Sequence, residues 1–262
     1  MSLLSSLADI DKSPKSVFVM HERSEKHFPF HTHLKGQLSY VEGGLAYLGV
    51  LDRTYVIPAL HYFWVPPGVG HILKLGHSGT VLRSIFYYST DDKKNEFYVH
   101  TGIYPVNDLL LQMIRYTAGW ERHIPPADNR FGFLKAIKDI LPSISEKVVP
   151  VVLPFTEDEE MTRIINYMGK NLHEQHTLHS IARQFNMSSR SLSRTFQRTV
   201  QMSFLQYLKA MRMAKAFELI VKDRMSLSEI AYAVGYNSLS AFSNTFHQYT
   251  DFRPSDFARR PV

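Results

Sequence analysis

Four residues in the amino-terminal half have the types and spacing to share one chemical task. His31-Thr32-His33 stands just ahead of Gln37, and Trp64-Val65-Pro66-Pro67-Gly68-Val69-Gly70-His71 comes further along the chain. If residues 31–33 are extended, alternation puts His31 and His33 on one face, and a tight Pro-Gly turn can bring His71 opposite them. Three imidazole nitrogens so placed can hold a divalent metal, or they can hydrogen-bond to a small organic effector. Gln37 is a neutral and weak ligand, so histidines that hydrogen-bond or touch an effector are the expectation, with a divalent metal as the alternative. The aromatics Phe28, Phe30, Tyr40, Tyr47 and Trp64 flank these motifs and would either stack on an effector or fill a core. His173, His176 and His179 also recur at threes, but Thr177 reads as a helix cap that breaks the series, which leaves a solvated connector.

A second chemistry lies near the carboxyl end. Leu178-x-x-Ile181-Ala182, ending at Leu192-x-x-x-Phe196, is matched by Leu227-x-x-Ile230-Ala231, ending at Phe242-x-x-x-Phe246. Each copy reads as a short helix, a turn and a second helix, with small Ala182 and Ala231 where two crossing helices approach closely. The second copy has one extra residue in its turn. Asn186-Met187 turns the first copy and Ser188 caps its second helix; in the second copy Gly235 supplies a left-handed residue and Asn237 or Ser238 caps. Off the buried face, the first such helix offers Ser188, Ser189, Arg190, Ser193, Arg194, Gln197 and Arg198, and the second offers Ser238, Leu239, Ser240, Ser243 and Asn244. Short polar and cationic side chains on a helix that fits a groove about 12 Å wide are what reading base edges in DNA requires. Arg190 and Arg194 share a face, and each can address a guanine.

The charge supports that chemistry. The net charge is +6, and residues 158–262 hold 14 basic against nine acidic side chains, so most of the excess lies there. Between Glu174 and Glu218 no acidic residue occurs, while Arg183, Arg190, Arg194, Arg198, Lys209, Arg212 and Lys215 do. Such a stretch makes a local positive field suited to a polyphosphate. The halves of the repeat are unequal, because the second recognition helix has no Lys or Arg. The first unit is therefore expected to dominate affinity, with the second adding polar contacts or facing polymerase.

The elements that must position these residues fall into two regimes, an α+β pattern in two domains. Residues 17–104 read as short strands (17–20, 37–42, 45–51, 55–57, 62–65 and 81–88) separated by turns at Gly43-Gly44, Asp52-Arg53, Pro66-Pro67-Gly68 and Ser78-Gly79, which suggests a small barrel or double sheet. Two helical stripes come next, one through Val106, Leu109, Leu110, Met113 and Ile114 and one through Phe133, Ile137, Ile140 and Leu141, with residues 121–129 as the loop between them. Pro142, Pro150 and Pro154 mark residues 143–156 as a linker between domains at 1–142 and 157–262. Thr156-x-x-Glu159 reads as a capping box that opens the helical part.

Composition narrows the function classes. The chain has 262 residues and no cysteine, which excludes disulfides, thiolate metal sites and cysteine nucleophiles and suits a reducing cytoplasm. No apolar run approaches the roughly 18 residues of a membrane span, and the first dozen residues carry charges unlike a secretion signal. There is no phosphate loop, no Gly-x-Ser-x-Gly and no His-Glu-x-x-His.

Residues 157–260 resemble the DNA-binding domain of the AraC/XylS family of bacterial transcription regulators. The resemblance rests on Ile230-Ala231-Tyr232-Ala233-Val234-Gly235-Tyr236 through Phe242-x-x-x-Phe246 to Pro254-x-x-Phe257-Ala258-Arg259, and on Arg212-Met213-x-x-Ala216. It implies seven helices, a connecting helix near 203–221, and two recognition helices addressing one face of the duplex about one turn (~34 Å) apart. Two positions depart from the family pattern, with Asp251 and Gln201 where glycine is usual. The His-x-His…Gln37 and Pro-x-Gly-x-x-His71 segments resemble the two cupin motifs, which implies a cupin-like β-barrel sensor. Together the two resemblances imply a non-enzymatic, cytoplasmic regulator that binds double-stranded DNA and a small-molecule effector, touches RNA polymerase and dimerises through the helices near 106–118 and 130–141. A metal-dependent cupin oxygenase or isomerase fused to a helical DNA-binding domain is the alternative.

Overall fold

A computed structural model describes residues 3–22, 27–42, 45–51, 53–58, 60–75, 80–89, 92–145, 152–154, 156, 158–221, 224–250 and 253–259. The turns expected at Gly43-Gly44 and Ser78-Gly79, the Asp52 half of the Asp52-Arg53 turn, and Asp251 lie outside the described residues. The chain divides into two compact units, Met1–Leu51 with Ile57–Val149, and Asp52–Val56 with Pro150–Arg260.

In chain order, helix α1 (Leu3–Ile10) precedes strands β1 (Val17–Glu22), β2 (His27–His31), β3 (Gly36–Glu42), β4 (Leu45–Val50), β5 (Arg53–Pro58), β6 (His61–Val65), β7 (His71–Leu75) and β8 (Val81–Tyr87). Then come α2 (Glu96–Val99), β9 (Gly102–Pro105), α3 (Asp108–Tyr116), β10 (Arg122–Ile124) and α4 (Phe131–Ile144). One antiparallel sheet runs β10-β1-β8-β3-β6-β9. In the other, β7 pairs antiparallel with both β2 and β4. The β-branched and aromatic residues of β3, β6 and β8 are buried almost throughout, as strands covered on both faces must be. β7 alternates buried and exposed residues.

Several expectations need correcting. The segment read as a loop at 121–129 contains strand β10, and helix α4 continues through Pro142 to Ile144. Pro142 has no N–H for the carbonyl of Lys138, but the Tyr98 hydroxyl donates to that oxygen at 2.7 Å, so the break in the ladder is filled from outside. Within the expected linker, Val152–Pro154 form strand β11, which pairs antiparallel with Arg53–Tyr55 of β5 in the second unit.

The second unit continues with seven helices, α5 (Glu159–Lys170), α6 (Leu178–Gln184), α7 (Ser189–Val200), α8 (Phe204–Val221), α9 (Leu227–Ala233), α10 (Leu239–Thr250) and α11 (Pro254–Arg259). α5 is capped by Asp158, which accepts from Met161 N, and not by Thr156; the Thr156 hydroxyl instead accepts from Asp158 N. One core joins Met161, Ile164 and Met168 of α5, Ile181 and Ala182 of α6, Leu192 and Phe196 of α7, and Phe204, Leu208 and Met211 of α8. In the second hairpin, Phe242 packs on Phe246, and Phe246 packs edge-on against Phe217 of α8 with ring centroids 5.0 Å apart.

Candidate functional site

The two hairpins of the second unit are built alike down to their hydrogen bonds. Thr177 caps α6 and Ser226 caps α9, each with a reciprocal capping box. In the first turn Met187 N donates to Ala182 O at 2.8 Å, and in the second Tyr236 N donates to Ala231 O at 2.8 Å. These bonds need a left-handed residue between helix and turn, supplied by Asn186 (φ 55°) and Gly235 (φ 84°). The extra residue of the second turn is Asn237, whose side-chain oxygen accepts from Gln175 Nε2 at 2.9 Å.

With Leu192, Phe196 and Val200 buried, α7 turns Arg190, Ser193, Arg194, Gln197 and Arg198 to solvent, and Ser189 is half-buried. Ser188 caps the helix by accepting from Ser191 N at 3.0 Å. Arg198 faces Asp158 at 3.6 Å, whereas Arg190 and Arg194 stand clear on the helix surface. On α10, Ser238 is the cap, accepting from Ala241 N at 3.2 Å; Leu239, Ser240 and Asn244 are exposed and Ser243 is half-buried. Gln201 does adopt the left-handed conformation (φ 54°) that favours glycine, and its side-chain oxygen accepts from Arg53.

A clamp that the sequence pattern did not single out ties the first hairpin's entry loop to the second hairpin's turn. Gln175 Nε2 also donates to Gly235 O at 3.0 Å. Arg212 of α8 donates to Glu174 O at 3.1 Å and lays its guanidinium over the Tyr236 ring, 5.5 Å from the centroid. A Cβ on Gly235 would lie 2.3 Å from Leu172 O. The only sequence signal was Arg212 within the connecting-helix pattern.

In the first unit, β2 and β7 place His31 opposite His71 in register, and the segment after β2 brings His33 in beside them. One ring nitrogen from each of the three lies within 4.8 Å of the other two, the only such group among the described residues. His31 Nδ1 meets Pro29 O at 2.8 Å, His33 Nδ1 meets Lys35 O at 2.6 Å, and His71 Nδ1 meets Val69 O at 2.9 Å. A carbonyl can only accept, so each Nδ1 carries the hydrogen and each Nε2 of a neutral ring presents a lone pair.

Burial lowers the pKa of all three rings, and neighbouring imidazoles add to this at His31 and His71; His71 is pushed down to about 3. Gln37 Oε1 lies 3.0 Å from Nε2 of both His33 and His71, while its amide nitrogen donates to Ser39 Oγ at 2.8 Å, which is 2.7 Å from Ser84 Oγ. Oxygen facing two lone pairs is repulsive unless a cation lies between them, and backbone carbonyls behind the rings are the usual outer support of a metal's histidines. The residues therefore fit a divalent metal with three nitrogen donors and one amide oxygen. Turned by half a rotation, the same amide donates to both nitrogens, which gives the metal-free arrangement. Of the flanking aromatics, Phe28, Tyr40 and Trp64 are core, Tyr47 is half-buried, and Phe30 is 69% exposed.

Residues 16–91 match the AraC-like ligand binding domain, and residues 181–260 match a helix-turn-helix domain. Over these two segments the chain is similar to AraC-type helix-turn-helix regulators. It is 30% identical over 115 residues to the HTH-type transcriptional regulator GadX of Escherichia coli, covering 44% of this chain and 42% of that protein. It is 31% identical over 101 residues to the regulator GbdR of Pseudomonas aeruginosa, covering 38% and 28%. The matched stretch thus spans about two fifths or less of these curated relatives. Among solved structures, the C-terminal domain of AraT from Geobacillus stearothermophilus is 30% identical, covering 40% of this chain and 88% of that one with a TM-score of 0.39. ToxT from Vibrio cholerae is 12% identical, covering 92% and 97% with a TM-score of 0.38. No described helix is long and apolar enough to cross a membrane.

Proposed function

We propose that the protein is a sequence-specific transcription regulator that binds double-stranded DNA through its two hairpins and senses a small molecule through its amino-terminal half. The observation that carries this reading is the pair of matched hairpins, each presenting from one apolar-backed helix a row of exposed polar side chains, with Arg190 and Arg194 on the first. A buried hydrophobic face fixes each helix, and the outward side chains are long enough and of the right donor chemistry for base edges. The relatives' names as transcriptional regulators support it. On this reading the protein works in the cytoplasm, without catalysis, as a homodimer that touches RNA polymerase; Leu109 and Tyr116 leave apolar surface exposed on α3, where a second copy would pack.

The test is selection of bound fragments from genomic DNA by the full chain, with and without candidate effectors. Enrichment of a two-part site, its halves one helical turn (~10 bp) apart, is the expected result. Equal affinity for any duplex, with a steep salt dependence, would replace this reading with that of a nonspecific binder.

A second reading concerns the sensor. The two lone pairs of His33 and His71 on the Gln37 oxygen, with a ring nitrogen of His31 within 4.8 Å of theirs, favour a divalent metal held by His31, His33, His71 and Gln37. Such an ion would supply an open coordination position for an oxygen atom of the effector. Metal content of the protein as isolated, and titration with zinc, manganese or nickel, decide it.

A further inference from the structure

The second recognition helix has no Lys or Arg of its own, yet a cation stands beside it. Arg253 lies just before α11, is exposed, and donates from Nη1 to Asn244 Oδ1 at 3.2 Å. Asn244 is itself exposed, on the face of α10 away from buried Phe242 and Phe246. No carboxylate among the described residues pairs with Arg253.

We propose that Arg253 is a DNA-contact residue: it binds a backbone phosphate and, through its hydrogen bond, sets the orientation of Asn244 in the groove. The inference rests on the DNA-binding reading above. An unpaired guanidinium beside a recognition helix is placed to neutralise a phosphate, which fixes the register of the helix without reading sequence. Its second effect is on readout. Asparagine reads adenine by accepting at Oδ1 and donating from Nδ2. With Oδ1 held by Arg253, Asn244 turns its amide hydrogens outward and favours a base edge that accepts, such as guanine O6/N7 or thymine O4.

The experiment compares the wild-type chain, Arg253→Ala, Arg253→Lys and Asn244→Ala on a fragment recovered by genomic selection and on its single-base variants, across 50–200 mM salt. One lost phosphate contact lowers the slope of log K against log salt by about 0.9, so Arg253→Ala should lose about 3.5-fold less affinity than wild type over that fourfold salt range. Arg253→Lys should keep the slope, because it keeps the charge, yet share with Asn244→Ala a changed base preference at one position. Unchanged thermal unfolding checks that the exposed substitutions leave the fold intact. A wild-type slope in Arg253→Ala, or an unaltered base preference in both Arg253→Lys and Asn244→Ala, overturns the inference. A wild-type protein that selects no sequence sinks the DNA-binding reading instead.

Discussion

Gly235 sits where three demands meet, and replacing it by alanine tests how the two hairpins are held in one unit. Its φ of 84° costs an L-residue about 1–2 kcal/mol. The added Cβ would also stand 2.3 Å from the carbonyl oxygen of Leu172 and 2.5 Å from Arg212 Nη2. The arginine end can swing away, but the carbonyl is backbone and must retreat by about an ångström to reach ordinary contact. That retreat pulls on residues 171–177, including Gln175, whose two hydrogen bonds to Gly235 and Asn237 are each worth about 0.5–1.5 kcal/mol. Strain plus two weakened bonds gives about 2–5 kcal/mol, and at roughly 4 °C per kcal/mol for a domain near 100 residues the melting temperature of this unit should fall by about 8–20 °C. Circular dichroism at 222 nm tracks the transition. Gly235→Asn separates the causes, since asparagine tolerates the left-handed backbone but carries the same Cβ; it should still cost about 1–3 kcal/mol from the weakened hydrogen bonds. A melting point for Gly235→Ala within about 3 °C of wild type would refute the argument that this turn is pressed against the Leu172 carbonyl.

The same structure sets four other outcomes. Arg194→Ala should weaken operator binding by about 1–3 kcal/mol, more than Asn244→Ala does; a gel-shift titration giving the opposite order rejects the expectation that the first unit dominates. Phe242 is fully buried against Phe246 and Tyr236, so Phe242→Ala should destabilise the unit by about 3–5 kcal/mol in urea unfolding, and a loss below 1 would show that the core collapses around the gap. If the histidine cluster holds a metal, His71→Ala should abolish its uptake in calorimetry and Gln37→Glu should tighten it; a wild-type protein that takes up none leaves the hydrogen-bonded arrangement. His176 is buried and its pKa lies below the usual 6.5 because burial penalises the charged ring. The unfolded chain then binds more protons than the folded one at acid pH, so its contribution to stability is present above pH 6.5 and lost as pH falls through the lower folded value; His176→Gln should flatten that part of the stability–pH curve.

The helical unit was largely legible in the sequence because its signals are local. Caps, periodic apolar stripes and the glycine at 235 all act within a few residues, so Thr177, Ser188 and Gly235 could be placed from sequence alone. Thr156 failed as a cap because Asp158, two residues on, offered a stronger acceptor to the same free N–H groups. In the barrel-like unit the strong β-branched strands were readable, whereas β2, β7, β9 and β10 were not. These are short, and β2 and β10 carry charged or histidine residues that satisfy no propensity; pairing with a neighbour far along the chain holds them. The same holds for the sites. Spacing alone brought His31, His33 and His71 together, but the orientation of the Gln37 amide, the Gln175–Arg212 clamp and the approach of Arg253 to Asn244 arise from tertiary packing that no spacing encodes.

Tyr98 gives the first unit a mechanical property out of proportion to its size. Its carbonyl receives the indole N–H of Trp64 at 3.1 Å, and its hydroxyl reaches Lys138 O, the position Pro142 leaves vacant. One residue on a four-residue helix is thus a rivet through strand β6 and the last helix of the unit, fastened at both ends by directional bonds. Sliding helix α4 along the sheet would break those bonds, each worth about 0.5–1.5 kcal/mol.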